Sequence, residues 1–114
     1  MKFLIADDNE QFRAYVRELL LKPGDECREL DNGLLVNDVY KEFHPDWVLL
    51  DIQMKPMDGF TAAKRLRQHY PRAQFAMVSN YCDARFRKKA EMLGAAALIS
   101  KENLEELAEL VMNY

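Results

Sequence analysis

Cysteine is scarce in this chain: Cys27 and Cys82 stand alone and far apart. That excludes a disulfide framework and a cysteine-held metal, and makes a reducing, cytoplasmic setting the expectation. Glycine is scarce too. Gly24, Gly33, Gly59 and Gly94 form no phosphate-cradling loop, which disfavours nucleotide binding. No apolar run approaches the roughly 18 residues that cross a bilayer, so no membrane association is expected. There is no basic excess either. With 16 Lys and Arg against 19 Asp and Glu, the net charge of −3 offers nothing to recruit nucleic acid directly. Acids arrive at Asp7-Asp8, too early for a signal peptide. No repeat, low-complexity tract or linker interrupts the 114 residues. They read as a single domain over 1–114, either a complete small protein or the N-terminal part of a longer one.

What is present is a regular alternation of strands and helices. Phe3-Leu4-Ile5-Ala6, Trp47-Val48-Leu49-Leu50, Phe75-Ala76-Met77-Val78 and Leu98-Ile99-Ser100 read as buried strands, with a weaker, charged edge strand around 26–30. Between them, Phe12, Tyr15, Val16, Leu19 and Leu20 mark a helix over 11–21, stopped by Lys22-Pro23-Gly24. After the turn Asp31-Asn32-Gly33, Leu35, Val36, Val39, Tyr40 and Phe43 stripe a second helix, which ends at His44-Pro45. A third, about 60–69, uses Phe60, Ala63, Leu66 and Tyr70. A fourth, about 84–93, buries Phe86, Ala90 and Leu93, with Asp83 as N-cap and Gly94 as stop. The last starts near Asn103, with Glu106 as capping-box partner and Leu104, Leu107, Ala108 and Val111 on its apolar face. The order βαβαβαβαβα predicts a parallel sheet covered on both faces, a doubly wound three-layer α/β sandwich.

In such sheets ligands bind beyond the strand C-termini. Asp7 and Asp8 follow the first strand, Asp51 the third, Ser79 the fourth and Lys101 the fifth, so all these polar groups gather on one edge. At an effective dielectric near 20, each pair of carboxylates about 4 Å apart repels by on the order of 4 kcal/mol. Protonation or a cation relieves that. Oxygen donors without nearby His or Cys favour a hard cation, and Mg²⁺ fits because it takes few protein ligands and keeps its waters. Helix capping would account for Asp7 or Asp8, but not for Asp51 on another strand. Lys101 supplies a compact positive charge and Ser79 a hydroxyl, both suited to a phosphoryl oxygen. The set points to metal-assisted phosphoryl chemistry.

Phe3-Leu4-Ile5-Ala6-Asp7-Asp8, Asp46-Trp47-Val48-Leu49-Leu50-Asp51-Ile52-Gln53-Met54, Met57-Asp58-Gly59, Val78-Ser79, and Gly94-Ala95 followed by Lys101 together resemble a response-regulator receiver domain of two-component signalling. The resemblance covers essentially the whole chain. It implies the flavodoxin-like strand order 2-1-3-4-5, which general fold rules give for the chemotaxis member of that family. It also implies that Asp51 is the phosphoacceptor, Mg²⁺ is held by Asp8, Asp51 and the Gln53 carbonyl with Asp7 acting through a water, and Lys101 and Ser79 assist. The donor it implies is a sensor histidine kinase or a phosphotransfer protein, with small acyl phosphates as substitutes. Phosphorylation would be read on the face of the fourth helix, fifth strand and last helix, by an output domain, a downstream protein or a second copy in a phosphorylation-dependent homodimer.

The chain departs from that pattern in places. Leu98 stands where many receivers carry the aromatic that moves inward on activation. Glu102 follows Lys101 where proline is common, so no cis proline is expected there, and Pro56 lies one position later than the usual proline, with Lys55 in its place. Asn80 replaces a small residue beside the site, while Gln53 and Tyr81 occupy positions that tune attack by water. Two other readings follow: a receiver-like interaction module whose partner binding ignores phosphate, and a Mg²⁺-dependent phosphohydrolase. The hydrolase lacks a general acid two residues beyond Asp51, where Gln53 stands, so the chain is read as no turnover enzyme. Arg85, Arg87, Lys88 and Lys89 read as a solvated helix face. His44 and His69 complement helix C-termini on the opposite edge, and Cys82 and Trp47 read as packing.

Overall fold

The computed structural model describes residues 1–113. Its strands are β1 (Lys2–Ala6), β2 (Glu26–Leu30), β3 (Trp47–Asp51), β4 (Phe75–Ser79) and β5 (Leu98–Ser100). Its helices are α1 (Glu10–Leu20), α2 (Val36–Phe43), α3 (Gly59–His69), α4 (Ala84–Met92) and α5 (Glu105–Met112). All pairings are parallel, in the order β2-β1-β3-β4-β5. The expected fold, a flavodoxin-like three-layer sandwich, is the one observed. Among the described residues no helix is long and apolar enough to cross a membrane.

Strand periodicity divides the core in two. Leu4, Ala6, Val48, Leu50, Phe75 and Met77 face one side and pack with Val36 of α2, Ala62, Ala63 and Leu66 of α3, and Ala90 of α4. The alternate residues Phe3, Ile5, Trp47, Leu49, Ala76 and Val78 meet Val16 and Leu20 of α1 and Leu107 and Val111 of α5. Central β3 and β4 are buried along their whole length, while β2 carries Glu26 and Arg28 outward, as an edge should. Cys82 and Trp47 serve as packing: Trp47 is fully buried and Cys82 half-buried against the core.

Local chemistry sets the helix ends. Asn9, Asp58 and Asp83 each cap a helix, their side-chain oxygens accepting from the amides of Phe12, Thr61 and Phe86. α4 ends in a Schellman motif: Ala95 N–H reaches Ala90 O at 3.1 Å, Gly94 N–H reaches Glu91 O at 3.0 Å, and Gly94 takes φ 85°. His44 closes α2 in the left-handed region at φ 51°, and His69 is the last residue of α3, its Nδ1 2.9 Å from Arg65 O. Both are exposed. The cis peptide among the described residues is Lys55–Pro56.

Three expectations need correction. α5 starts at Glu105, not near Asn103, and Leu104 holds the cap position without a side-chain cap. Asn103 Nδ2 donates to Glu106 Oε1 at 2.6 Å, so these side chains satisfy each other rather than the reciprocal amides of a capping box, while Leu104 is drawn into the core. On α1, Tyr15 and Leu19 are exposed, because the sheet is met by the narrower stripe Phe12, Val16 and Leu20. Leu35 likewise precedes α2 and is exposed.

Gly59 carries a packing requirement of its own. Its N–H donates to Ile52 O at 2.8 Å, and an added Cβ would collide with the carbonyl of Asp51. Gly59→Ala is therefore expected to cost about 1–3 kcal/mol, measured by urea denaturation, because rigid backbone must shift to admit the methyl.

Candidate functional site

β1 and β3 are adjacent and in register, Ala6 opposite Leu50, so the residues that follow them emerge side by side. Asp7 lies beyond β1 and Asp51 ends β3, both in the interior, while Asp8 is exposed above them. One carboxylate oxygen from each of Asp7, Asp8 and Asp51 lies within 4.8 Å of the others. Asn9 caps α1, which leaves both Asp7 and Asp8 free of that duty.

Lys101 follows β5 and reaches back across the edge. Its Nζ is 2.8 Å from Asp7 Oδ2 and 3.5 Å from Asp51 Oδ1. Phe12, from the first turn of α1, lies under the ammonium, with its ring centroid 4.4 Å away. Asp7 Oδ1 accepts from Asn9 N–H at 2.9 Å, and Asp51 Oδ1 accepts from Gln53 N–H at 3.3 Å. Asp7 Oδ2 is buried, and the Lys101 ammonium at 2.8 Å is its ion-pair partner. Loss of hydration, then the neighbouring Asp7 charge, push the Asp51 carboxyl up to about 6, with Lys101 pulling the other way.

Ser79 closes the pocket from β4. It is fully buried, and its Oγ accepts from Tyr81 N–H at 2.9 Å. Its backbone carbonyl takes the Lys101 N–H at 2.9 Å, which ties the β4 end to the loop carrying the lysine. Asn80 and Tyr81 are exposed at the rim. Gln53 is exposed as well, its peptide beside Asp51.

The structure thus brings Asp7, Asp8, Asp51, Ser79, Lys101 and the Gln53 backbone to one place. A set of three carboxylates is all oxygen, the donor chemistry of a hard divalent cation. The exposed Asp8 carboxylate, with no hydrogen bond or ion pair among the described residues, leaves lone pairs for one. Phe12 and Arg13 also reach the site, although neither stands out in the sequence as a functional residue. The available signal was position: Arg13 is the first cation after the acids, one turn from Asn9.

Arg85, Lys88 and Lys89 are exposed on α4. Arg87, also exposed, bridges two segments, donating to Cys82 O at 3.1 Å and to Leu98 O at 3.3 Å.

A sequence model described as the response regulator receiver domain matches residues 3–112. The chemotaxis protein CheY of Halobacterium salinarum is 33% identical over 98 residues, covering 86% of this chain and 82% of that protein. The regulatory protein AtoC of Escherichia coli is 31% identical over 111 residues, 96% of this chain, yet the match spans only 24% of AtoC. Among solved structures, the Vibrio cholerae chemotaxis protein CheY4 superposes with a TM-score of 0.88 at 23% identity, over 98% of this chain and 96% of that one.

Proposed function

The chain belongs to the response-regulator receiver family, the signalling domains of two-component systems, and from that footing we propose that it is a switch thrown by phosphorylation of Asp51. One observation carries the reading: three carboxylates meet within 4.8 Å, with the Lys101 ammonium 2.8 Å from one and 3.5 Å from another. An Asp51 oxygen attacks the phosphorus of a phosphohistidine on a sensor kinase or phosphotransfer protein. The P–N bond breaks, and its electron pair leaves with the imidazole. With a small acyl phosphate the P–O bond breaks instead, and the carboxylate departs. Water later attacks phosphorus, releases inorganic phosphate and restores the Asp51 carboxylate.

The residues divide the work. Asp51, with its pKa of about 6, is largely ionised at neutral pH and so available as a nucleophile. Lys101 faces the oxygens that gain charge as the phosphoryl group passes. Ser79 releases the Tyr81 amide and turns its hydroxyl to the new phosphoryl oxygens. Asp8, Asp51 and the Gln53 carbonyl would hold Mg²⁺, with the fully buried Asp7 supporting the site from behind. Bound there, Mg²⁺ would supply positive charge against the phosphoryl oxygens. The chain catalyses only its own phosphorylation and dephosphorylation.

The output face comprises α4, β5 and α5. Exposed Arg85 and Lys88 lie on one side and exposed Glu105, Glu106 and Glu109 on the other, suited to a downstream protein, an attached output domain or a second copy. With Leu98 buried and no ring there to rotate, Arg87 links the Ser79 loop to β5 through Cys82 O and Leu98 O. Leu98 also favours the second reading, an interaction module indifferent to phosphate.

Incubation with Mg²⁺ and a small acyl phosphate, followed by intact mass measurement, tests the proposal. The expected result is a labile gain of a single phosphoryl group, absent with EDTA. A gain that persists in Asp51→Asn would overturn the assignment of the acceptor. No gain from either an acyl phosphate or a histidine kinase would favour the phosphate-independent module.

A further inference from the structure

Asp8 is the exposed member of the carboxylate cluster, and among the described residues its side chain makes no hydrogen bond or ion pair. With no side-chain partner, what the fold fixes for Asp8 is the backbone that points its Cα–Cβ bond. The preceding peptide is held on both sides. Asp7 N–H donates to Leu30 O at 3.0 Å, a bond that extends the β1–β2 ladder by one residue. Asp7 O accepts from Arg13 Nη1 at 2.6 Å.

Arg13 is not free to wander. Its Nε donates to Glu29 Oε1 at 2.9 Å, and Arg17 Nη1 takes Glu29 Oε2 at 2.6 Å. Arg13 and Glu29 are both largely covered, with side-chain exposures of 15% and 26%. Glu29 sits on β2 opposite Ile5 of β1, two residues below Asp7. The guanidinium thus spans the edge strand and the first loop, with different nitrogens engaged at each end. A planar fork can do this, whereas a single ammonium cannot hold both with the same geometry.

We propose that Arg13 is a positioning residue for the cation site: clamped by Glu29, it fixes the Asp7–Asp8 peptide and thereby aims the Asp8 carboxylate. The proposal rests on the reading of Asp7, Asp8 and Asp51 as a divalent-cation site. Outer partners that orient a ligand typically contribute ten- to a hundredfold in metal affinity. The sign separates positioning from charge. Deleting a cation beside a metal site should tighten metal binding by Coulomb's law, whereas loosening a ligand should weaken it.

Mn²⁺, a hard-cation probe, can be titrated against the protein while its free-ion EPR signal is followed. Wild type, Arg13→Met and Arg13→Lys are compared, with thermal melts run alongside. Arg13→Met is expected to bind Mn²⁺ about tenfold more weakly, at the low end of the range for such partners. Arg13→Lys retains the charge and is expected to fall between it and wild type. Phosphorylation by an acyl phosphate should require more metal for half-maximal rate, while the rate at saturating metal recovers. Affinity that is unchanged or tighter in Arg13→Met would overturn the proposal, even if its melting temperature falls. Should Arg13→Met fail to fold, Arg13→Lys carries the test: wild-type affinity there would overturn it. A wild type that binds no Mn²⁺ would overturn the site reading itself, and the clamp with it.

Discussion

Asp51→Asn is expected to lose phosphoryl uptake completely and yet to be the more stable protein at neutral pH. The loss follows from the chemistry, since an amide offers no carboxylate oxygen to attack phosphorus. The gain follows from burial. Asp51 is 3% exposed, and desolvation together with the Asp7 charge raises its pKa from 3.8 to about 6. A raised pKa in the folded state means stability that is fully present below the unfolded value and lost as pH rises through the folded one. The wild type therefore carries a penalty of roughly 2–3 kcal/mol above pH 7, from a shift of about two units. Asparagine removes the charge and most of that penalty. In metal-free buffer at pH 7.5 the variant should melt ~8 °C higher, at about 4 °C per kcal/mol for a domain of this size. The advantage should shrink through pH 6 and vanish near pH 4. Mg²⁺ should narrow it from the other side by stabilising wild type. Thermal melts across that pH range check the claim, and an advantage that does not depend on pH would point to altered packing instead.

Such a penalty is legible in the sequence because it comes from strand register rather than from fine packing. The apolar runs ending in Asp7, Asp51, Ser79 and Lys101 can be buried only as central strands of a parallel sheet, and that architecture sends their C-termini to one edge. Helix existence is equally legible: the starts expected at 11, 60 and 84 lie within one residue of those observed at Glu10, Gly59 and Ala84. The misses share a cause. Tyr15, Leu19 and Leu35 fit a helical apolar stripe, but periodicity cannot say how wide a stripe the neighbouring layer covers. The Asn103 cap was a sound local signal overridden by tertiary burial of Leu104. Arg13 and Glu29 were invisible as a pair because they are distant in sequence and meet only once β2 lies beside β1. Glu29 alone reads as an ordinary edge-strand charge.

Lys101→Met is expected to have the opposite effect, and a larger one. The ammonium lies against both buried carboxylates, at 2.8 Å from Asp7 and 3.5 Å from Asp51, and is itself only 13% exposed. Removing one partner of a buried ion pair leaves uncompensated charge, at a typical cost of about 3–5 kcal/mol. Part of any loss could come from packing, because Lys101 also lies over the Phe12 ring. The pH dependence separates the two. Lys101 lowers the Asp51 pKa, so its removal lets that pKa rise beyond about 6. The electrostatic deficit should be greatest at pH 8 and shrink as pH falls and the acid protonates. A deficit from lost packing on Phe12 would persist at pH 5. Urea denaturation at both values, with EDTA and then with excess Mg²⁺, decides between them. Mg²⁺ should recover much of the stability at pH 8, because a cation bound among the carboxylates replaces the missing charge. It should not restore phosphorylation, since nothing then faces the phosphoryl oxygens from the β5 side. Combining Lys101→Met with Asp51→Asn closes a double-mutant cycle. If both effects arise from one buried cluster, the second substitution should relieve part of the damage done by the first, Asp7 remaining unpaired, and simple additivity of the two would contradict that origin.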